Sequence, residues 1–346
     1  NMDEPFMLTS RSFAIVETLG SPAEDQMGDG VFNAALQGDR RSLARAISRI
    51  DDAAPGHLEA VSALSARRSV GPGAPFVMGI TGPPGAGKST FTSRVVHQAR
   101  AQGKRVAVLA VDPSSPFSGG AILGDRLRME DHADDPEVFI RSLSTRGHLG
   151  GLSRAAGQIV DLLDAAGFDL IVVETVGVGQ SELAVMEIAD TVLVVLTPES
   201  GDVVQTMKAG LLEVADVFAV NKADRKGADA LCRNLELMVH LDLPMDDKVA
   251  HWASPVHACS ALQDKGINDV IDSAEAHLRW STKEGIKAWR ERRSQGRIRT
   301  FLDVVSDDAR RRAISMLSKN TDGLRDRVRS GEVSPYRAAA EWKGEK

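Results

Sequence analysis

The segment Gly82–Ser89 has the spacing of a loop that binds phosphate. Its letters, GPPGAGKS, fit G-x-x-x-x-G-K-[ST], and it follows an apolar run and opens a helical pattern. Glycines let such a backbone curl so that its N–H groups point at phosphate oxygens. Lys88 can then reach the β- and γ-phosphates, and the Ser89 hydroxyl can ligate Mg²⁺. The predicted nucleotide contacts of this loop are Gly82, Pro83, Pro84, Gly85, Ala86, Gly87, Lys88, Ser89 and Thr90.

An acidic residue ends a later apolar run, DLIVVETVG, and a glycine follows it three positions on. GTPases place D-x-x-G at this point, where the acid holds a metal-bound water and the glycine N–H contacts the γ-phosphate; here the residues are Glu174 and Gly177. The alternative is a solvated acid at the end of a buried strand. Small signalling GTPases carry a glutamine directly after that glycine to orient the attacking water. This chain has Val178 there and Gln180 two positions further, which predicts slow intrinsic hydrolysis.

Two further acids are candidates for the metal shell. Asp112 ends the apolar run after the phosphate-loop helix, and Asp125 lies in the Gly-rich stretch SGGAILGDRLRM. Both can approach Mg²⁺ directly or through water, with a surface turn as the alternative for Asp125. The predicted metal ligands are Ser89, Asp112, Asp125 and Glu174. The predicted catalytic residues are Lys88, Asp112 and Glu174.

The letters NKAD, at the end of another apolar run, indicate which base is bound. Asp224 can accept hydrogen bonds from the N1–H and 2-amino groups of guanine, and adenine offers neither; Asn221 can brace the loop, and the Lys222 stem can lie along the base. A later stretch, CSAL, is placed to supply a backbone N–H to the guanine oxygen. Its predicted contacts are Ser260, Ala261 and Leu262. Four motifs in this order predict that GTP and GDP bind.

Five short apolar runs alternate with helical patterns through the middle of the chain. The runs are FVMGIT (76–81), RVAVLAVD (105–112), DLIVVET (169–175), TVLVVLT (191–197) and VFAVN (217–221). Helical segments are predicted near 90–103, 152–166, 203–215 and 227–240. Nearly continuous Val, Leu and Ile runs are typical of parallel strands covered on both faces. The pattern predicts an α/β fold with a doubly wound, mostly parallel sheet.

The two ends of the chain have a different character. The predicted division is a segment 1–30, a helical extension 31–70, a nucleotide-binding domain 71–280 and a helical arm 281–346. In the extension, one helical face would carry Leu36, Leu43, Ile47 and Ile50, and Pro55-Gly56 would precede a second helix. In the arm, apolar side chains without a sheet to bury them predict dimerisation. They are Trp289, Ile298, Phe301, Leu302 and Val305.

Composition narrows the classes of partner. The formal net charge of −6 does not favour nucleic acid, so the Arg-rich stretch 290–299 is interpreted as a solvated helix face. Cys232 and Cys259 are far apart, which suits a reducing compartment. Because no apolar run is long enough for a membrane helix and no leader pattern is evident, we expect a cytoplasmic protein without a membrane partner.

Taken together, these motifs resemble the MeaB/ArgK group of P-loop GTPases. The matching segments are GPPGAGKST, VDPSSPFSGGAILGDRLRM, STRGHLGG, ETVGVGQSE, TPESGDVVQTMKAGLLE and NKAD, all within residues 79–224. The resemblance implies a homodimeric GTPase that gates adenosylcobalamin loading and protects methylmalonyl-CoA mutase or another B12-dependent acyl-CoA mutase. It also brings in the cobalamin adenosyltransferase as a candidate partner. It implies that Asp125 is a Mg²⁺ ligand in a switch loop and that 197–208 is mobile, with Gln205 and Lys208 relaying the nucleotide state.

Three other interpretations stay open. A metallochaperone GTPase for nickel enzymes needs clustered Cys and His, whereas here the nearest pair, His257 and Cys259, stands alone in sequence. A scaffold that binds nucleotide without useful turnover is the second. The third follows an older description of the family as a lysine/arginine/ornithine transport ATPase, against which NKAD argues because it favours guanine.

Overall fold

The computed structural model describes residues 30–65, 74–112, 132, 134–144, 155–175, 185, 188–200, 215–242, 251–319 and 323–343. Its centre is a parallel sheet with flanking helices, which confirms the predicted fold class. The strands are β1 (Phe76–Thr81), β2 (Val106–Asp112), β3 (Val138–Ser144), β4 (Leu170–Thr175), β5 (Thr191–Leu196), β6 (Val217–Val220) and β7 (Val256–Ala258). All six neighbouring pairs among them are parallel, in the order β3-β2-β4-β1-β5-β6-β7.

This strand order brings the predicted motifs to one edge of the sheet. After β1 the chain builds β2, β3 and β4 on one side, and then β5, β6 and β7 on the other. In open α/β sheets, ligands bind beyond the carboxyl ends of the strands, where the strand order reverses. The phosphate loop follows β1, Glu174 lies at the end of β4, and Asn221 follows β6. The fold therefore places these three segments along the same edge.

Helices cover both faces of the sheet, and further helices follow in the C-terminal part of the chain. They are α1 (Gly30–Leu36), α2 (Arg40–Asp51), α3 (His57–Ser65), α4 (Lys88–Ala101), α5 (Ala155–Ala165), α6 (Ala228–Asp242), α7 (Ile267–Ser281), α8 (Ile286–Lys319), α9 (Leu324–Arg329) and α10 (Pro335–Lys343). The face predicted for the N-terminal extension is present, since Leu43, Ile47 and Ile50 are buried in α2. The extension holds three helices rather than the predicted two, because the chain also turns between Leu36 and Arg40.

Two strands of the structure, β3 and β7, were not predicted from the sequence. β3, with the letters VFIRSLS, is broken by Arg141 and two serines, and it forms one edge of the described sheet. β7 has three residues and forms the other edge. Edge strands are covered less completely than central ones, so their composition is less apolar. The predicted helix near 203–215 lies outside the described residues except at Ala215.

The chain divides into two compact units, one up to Ser294 and the other from Gln295 onward. In the second unit, Arg327 pairs with both Glu332 and Glu341, and this joins α9 to α10. The predicted four-part division stays a prediction. No helix in the described part of the chain is both long and apolar enough to cross a membrane.

The prediction for Trp289 was wrong. Its side chain is 8% exposed, and its indole N–H donates to Asp190 Oδ1 over 3.4 Å, directly before β5. The first turns of α8 are thus part of the first unit, and they contact the residue that precedes β5, whereas the sequence pattern predicted no sheet beside them. Ile298 and Phe301 are exposed, as expected.

Candidate nucleotide site

Two glycines of the phosphate loop stand where any side chain would collide. Gly82 has a φ of 140°, and a Cβ there would lie 2.0 Å from the Val195 carbonyl oxygen. Gly87, the residue before α4, has a φ of 86°, and its Cβ would lie 2.5 Å from Asn221 Nδ2. Real Cβ atoms do not approach other atoms so closely, so only glycine fits at either position. The loop therefore lies directly against β5 and Asn221.

Lys88 is held over the loop that precedes it. Its side chain is buried, and Nζ donates to the carbonyl oxygens of Gly82 (2.8 Å) and Pro83 (3.0 Å). Because Lys88 is the first residue of α4, its ammonium adds to the positive end of the helix dipole. The charge is thereby fixed beside a curled backbone, where an anionic ligand would be stabilised.

A buried carboxylate joins the end of β4 to the first turns of α4. Glu174 is 1% exposed. Its Oε1 accepts from the Ser89 hydroxyl over 2.7 Å, and its Oε2 accepts from the Thr92 hydroxyl over 2.8 Å. Both oxygens are therefore oriented by α4, and the Ser89 rotamer is fixed by the same contact.

These donors fit a magnesium ion. A hydroxyl that gives its proton to a carboxylate keeps lone pairs on its oxygen, and Mg²⁺ prefers hydroxyl, carboxylate and water oxygens. Ser89 is in that state because its proton points to Glu174. Asp112 is the last residue of β2, the neighbour of β4, so its backbone lies at the same edge as Glu174. Its side chain lies outside the described part of the structure.

Asn221 ties the phosphate loop to the predicted base loop. It is 3% exposed and directly follows β6. Its Nδ2 donates to the Ala86 carbonyl over 2.8 Å, and its Oδ1 accepts the Ala261 N–H over 2.9 Å. Lys222 adds a second link, since its Nζ donates to the Gly85 carbonyl over 2.8 Å. The segments predicted to hold phosphate and base are thus one connected unit.

Asp224 and the loop after β7 meet at the predicted base site. The carboxylate is exposed, and its Oδ1 accepts from the Ser260 hydroxyl over 2.9 Å. Two of the three predicted N–H donors already have protein acceptors: Ser260 N–H donates to Lys265 O, and Ala261 N–H donates to Asn221. Leu262 is 82% exposed. The serine therefore orients the acid through its hydroxyl.

The remaining predicted residues differ in how far the structure describes them. Thr90 is exposed, whereas the preceding residue, Ser89, is buried. Asp125 and Gly177 lie outside the described residues, as do Gln205 and Lys208. Their assigned roles stay predictions.

Several contacts at the site were missed by sequence reasoning. Thr92 completes the Glu174 contact, and its spacing of three residues from Ser89 on one helix face was an available signal. Thr175 donates to Thr81 over 2.9 Å and joins the ends of β4 and β1. Arg225 pairs with Glu199, and this hydrogen bond lowers the pKa of Glu199 to about 2. Nothing in the local pattern signals that pair, because its members are on different loops.

The family model described as "Methylmalonyl Co-A mutase-associated GTPase MeaB" matches residues 43–316. The chain belongs to the MeaB family. Among its relatives is the GTPase ArgK of Escherichia coli, 34% identical over 312 residues that cover 87% of this chain and 93% of that protein. A Pyrococcus abyssi protein, provisionally named a GTPase, is 42% identical over 90% of this chain and 95% of its own length.

The chain is also similar to a mouse protein and to a solved structure. A mouse protein, "Methylmalonic aciduria type A homolog, mitochondrial", is 38% identical over 214 residues, which cover 59% of this chain and 52% of the mouse protein. The solved structure of an LAO/AO transport system kinase superposes with a TM-score of 0.62 at 26% identity, covering 93% of this chain and 97% of that one. With the phosphate loop described above, these results make this MeaB-family protein a GTP-hydrolysing enzyme.

Both cysteines of this MeaB-family chain lie in the described part of the structure, and Cys259 is poorly suited to a soft metal. Burial raises the pKa of the Cys259 thiol to about 12, which disfavours the thiolate that such a metal requires. His257 Nε2 lies 2.8 Å from the Ser273 hydroxyl. Within the described residues, no group of three or more His, Cys, Asp or Glu could hold a metal ion.

Proposed function

We propose that this MeaB-family GTPase is a chaperone of a B12-dependent acyl-CoA mutase, with methylmalonyl-CoA mutase as the expected partner. In this proposal it gates adenosylcobalamin loading and protects the mutase from inactivation, with the cobalamin adenosyltransferase as a further partner. The family match over residues 43–316 carries the proposal, because the family is described by its association with that mutase. The name of the mouse relative points to the same metabolism.

The base in the proposed site is guanine. The Ser260 hydroxyl holds one oxygen of Asp224, so the carboxylate faces the base with a defined orientation. Guanine presents two N–H groups to such an acceptor, whereas adenine presents no matching pair. Asn221 links this recognition to the phosphate loop through Ala86. A base that fits Asp224 therefore brings its phosphates to Lys88.

The metal in the proposed site is Mg²⁺, held by Ser89 with Asp112, Asp125 and Glu174 in its shell or just beyond. When bound, it neutralises charge that develops on the phosphate oxygens. Lys88 supplies a second positive charge from the loop. Glu174 orients the Ser89 hydroxyl and does not itself need to move. Positioning and charge neutralisation supply most of the catalysis in phosphoryl transfer.

Because the free protein is expected to hydrolyse GTP slowly, the proposed role of the mutase includes acceleration of this hydrolysis. Val178 stands where signalling GTPases have their water-orienting glutamine. The mutase then supplies or orders the missing parts, with gains of up to about 10³–10⁵ in rate, as activators do elsewhere. The nucleotide-sensing segments of the proposal are 113–128 and 197–208, which lie outside the described residues apart from 197–200.

The decisive experiment mixes the purified protein with its mutase. Phosphate release is measured under single-turnover conditions with and without the mutase, and cofactor transfer is followed with GTP, GDP and a non-hydrolysable analogue. We expect faster hydrolysis in the mixture and nucleotide-dependent transfer. The Lys88→Ala variant is the control, because it should nearly abolish hydrolysis in both conditions. If the mutase does not accelerate phosphate release and GTP does not change cofactor transfer, the chaperone proposal is refuted.

A nucleotide-dependent transport function is a second candidate, favoured by the structural likeness to the LAO/AO transport system kinase. It predicts ATP as the nucleotide. Competition between ATP and GTP for the wild-type protein separates the two, since Asp224 is complementary to guanine alone. ATP binding as tight as GTP binding would favour the transport function.

A further inference from the structure

One side chain of α4 reaches across to the loop that follows β7. Nε of Arg94 donates to the Ala261 carbonyl oxygen over 3.0 Å, although the two residues are 167 positions apart. Ala261 is 1% exposed, so its carbonyl lies in the interior next to the guanidinium stem. The same Nε is 3.9 Å from Asp264 Oδ1, further along the loop. Arg94 thus holds the backbone at the point where guanine recognition is proposed.

This contact fixes the orientation of a complete peptide unit. The Ala261–Leu262 bond is planar and trans, so the direction of the Ala261 carbonyl sets the opposite direction of the Leu262 N–H. The preceding peptide is held separately, because Ala261 N–H donates to Asn221 Oδ1. Both peptide units that flank Ala261 are therefore held by side chains from outside the loop.

Arg94 also belongs to the helix that begins at the phosphate loop. It follows Lys88 by six positions, which is about 9 Å along the axis. The helix between and beyond them is anchored in the core by Phe91 and Val95, which are at most 2% exposed. The loop of Ser260, Ala261 and Leu262 is consequently held in position relative to the phosphate loop by two hydrogen-bonded links. One is the bond of Asn221 to Ala86, and the other is the bond of Arg94 to the Ala261 carbonyl.

We propose that Arg94 is a positioning residue for base recognition, which aims the Leu262 N–H at the 6-oxygen of guanine by holding the Ala261 carbonyl. The proposal rests on the proposed preference for guanine and adds the group that selects for its oxygen. Asp224 accepts from the N1–H and 2-amino groups, and the peptide that Arg94 orients donates to the 6-oxygen at the other end of the same edge of the base.

The competing role for Arg94 is a surface ion pair with Asp264. The two side chains are 35% and 49% exposed, and such pairs contribute little to stability. The two roles can be separated because they use different properties of the guanidinium. Orientation of the peptide needs a donor at the Nε position, whereas the ion pair needs only positive charge.

Two variants of Arg94 isolate the donor. In Arg94→Gln the amide nitrogen is as many bonds from Cα as the arginine Nε, so the hydrogen bond to Ala261 is kept without the charge. In Arg94→Met the length is similar and the donor is lost. Asp264→Asn removes the charge of the other partner and leaves Arg94 intact. Arg94→Lys keeps the charge and moves the donor one bond further, and it replaces the methionine variant if that variant does not fold.

The readout is the dissociation constant of three diphosphates. GDP is the reference, 6-thio-GDP replaces the 6-oxygen by sulfur, which is a weaker acceptor, and IDP keeps the 6-oxygen but lacks the 2-amino group. Loss of one hydrogen bond predicts that Arg94→Met weakens GDP binding about two- to tenfold and narrows its preference over 6-thio-GDP. The preference for GDP over IDP should stay unchanged. Arg94→Gln and Asp264→Asn should behave like the wild type.

Other outcomes overturn the proposal. If Arg94→Met weakens all three nucleotides by the same factor, or none of them, Arg94 does not select for the oxygen. If Arg94→Gln behaves like Arg94→Met, the charge matters rather than the donor. Failure of the underlying guanine preference is recognised independently, because the wild-type protein would then bind GDP and ADP equally. Thermal unfolding of each nucleotide-free variant shows whether it is folded.

Discussion

The Ser89 hydroxyl donates a hydrogen bond of 2.7 Å to Oε1 of Glu174, across the join between the first turn of α4 and the end of β4. Thr92 occupies the other carboxylate oxygen from the same helix. The acid therefore holds the hydroxyl whose oxygen is proposed to ligate Mg²⁺. Glu174 also fixes α4 against the sheet through these two hydrogen bonds. The position of the Ser89 hydroxyl is therefore set by β4 and α4 and does not depend on loops that move with the nucleotide state.

The first prediction concerns the Glu174→Gln variant. An amide keeps the shape of the carboxylate, but its NH₂ group cannot accept a hydroxyl proton, so Ser89 or Thr92 loses its partner. We expect hydrolysis of GTP to fall by about a hundredfold, in the range seen when one oriented polar group is removed from an active site. The Mg²⁺ concentration needed for half-maximal rate should rise. Single-turnover assays across a Mg²⁺ series measure both.

Thr92 provides a matched control for that experiment. Thr92→Ser keeps a hydroxyl for Glu174 and should stay near the wild-type rate, whereas Thr92→Val removes it and should show a smaller defect of the same kind. An unchanged Mg²⁺ dependence in Glu174→Gln would show that this acid does not orient the metal site.

The second prediction concerns Asp224→Asn. Guanine donates two hydrogen bonds to the carboxylate, and bonds to a charged acceptor contribute about 1.5–3 kcal/mol each. The amide cannot accept both, so we expect GDP affinity to fall at least about tenfold. Xanthine diphosphate should bind more tightly than to the wild type, because its 2-oxo group needs a donor. Dissociation constants for both nucleotides test this, and Ser260→Ala is a control that loosens the acid without changing its charge. A variant with unaltered preference for GDP would remove Asp224 from base selection.

Much of the sheet could be predicted because its central strands are buried on both faces. β1, β4 and β5 are buried at every position, and their sequences are accordingly almost entirely apolar, with polar residues only at the strand ends. The same physical reason hides β3, where half-exposed positions admit Arg141 and serine. Ser89, Glu174 and Asn221 could be placed because each is at a fixed distance from a strand end.

Contacts between distant segments were beyond sequence patterns. The Thr92 bond to Glu174 spans 82 positions, and which helix face turns toward β4 depends on packing of the whole sheet. Trp289 shows the same limit, because a lone aromatic residue in a charged helix gives no sign that Asp190 lies opposite. Periodicity identifies a face, and only tertiary structure identifies its partner.

The third prediction concerns dimerisation, which is proposed from the resemblance and from an exposed stripe on α8. Residues 298, 301, 302 and 305 follow the spacing of one helix face, and their side chains are 49–64% exposed. Phe301→Glu places a charge in the middle of this stripe and should convert a dimer into monomers, as measured by light scattering. Ile314→Glu is the matched control, since Ile314 is 51% exposed but lies roughly 160° around the helix from Ile298. A dimer that survives Phe301→Glu excludes this face as the interface.

The last prediction concerns acid stability and rests on His277, which is 2% exposed at the amino-terminal end of β5 and β6. Its Nδ1 is 2.9 Å from the Thr191 hydroxyl, and its Nε2 is 3.3 Å from Asp216 Oδ1. Burial lowers the pKa of His277 below its usual 6.5, and Arg292 acts in the same direction, although Asp216 and Asp190 oppose them. The folded protein therefore holds this histidine neutral at a pH where the unfolded chain would protonate it.

The sign of the effect follows from proton binding. As pH falls through about 6.5, His277 becomes protonated in the unfolded chain but stays neutral in the folded protein. The free energy of unfolding therefore decreases, by at most about 1.4 kcal/mol per pH unit, until the pH reaches the lower pKa of the folded state. Urea unfolding at pH 7.5, 6.5 and 5.5 should show this loss, and His277→Gln should reduce the slope. His257, whose pKa burial also lowers, contributes in the same sense and is present in the wild type and in His277→Gln.

The exposed His97 gives the control variant His97→Gln, which should keep the wild-type slope. Equal slopes in all three proteins would mean that His277 is protonated as readily in the folded state as in the unfolded one.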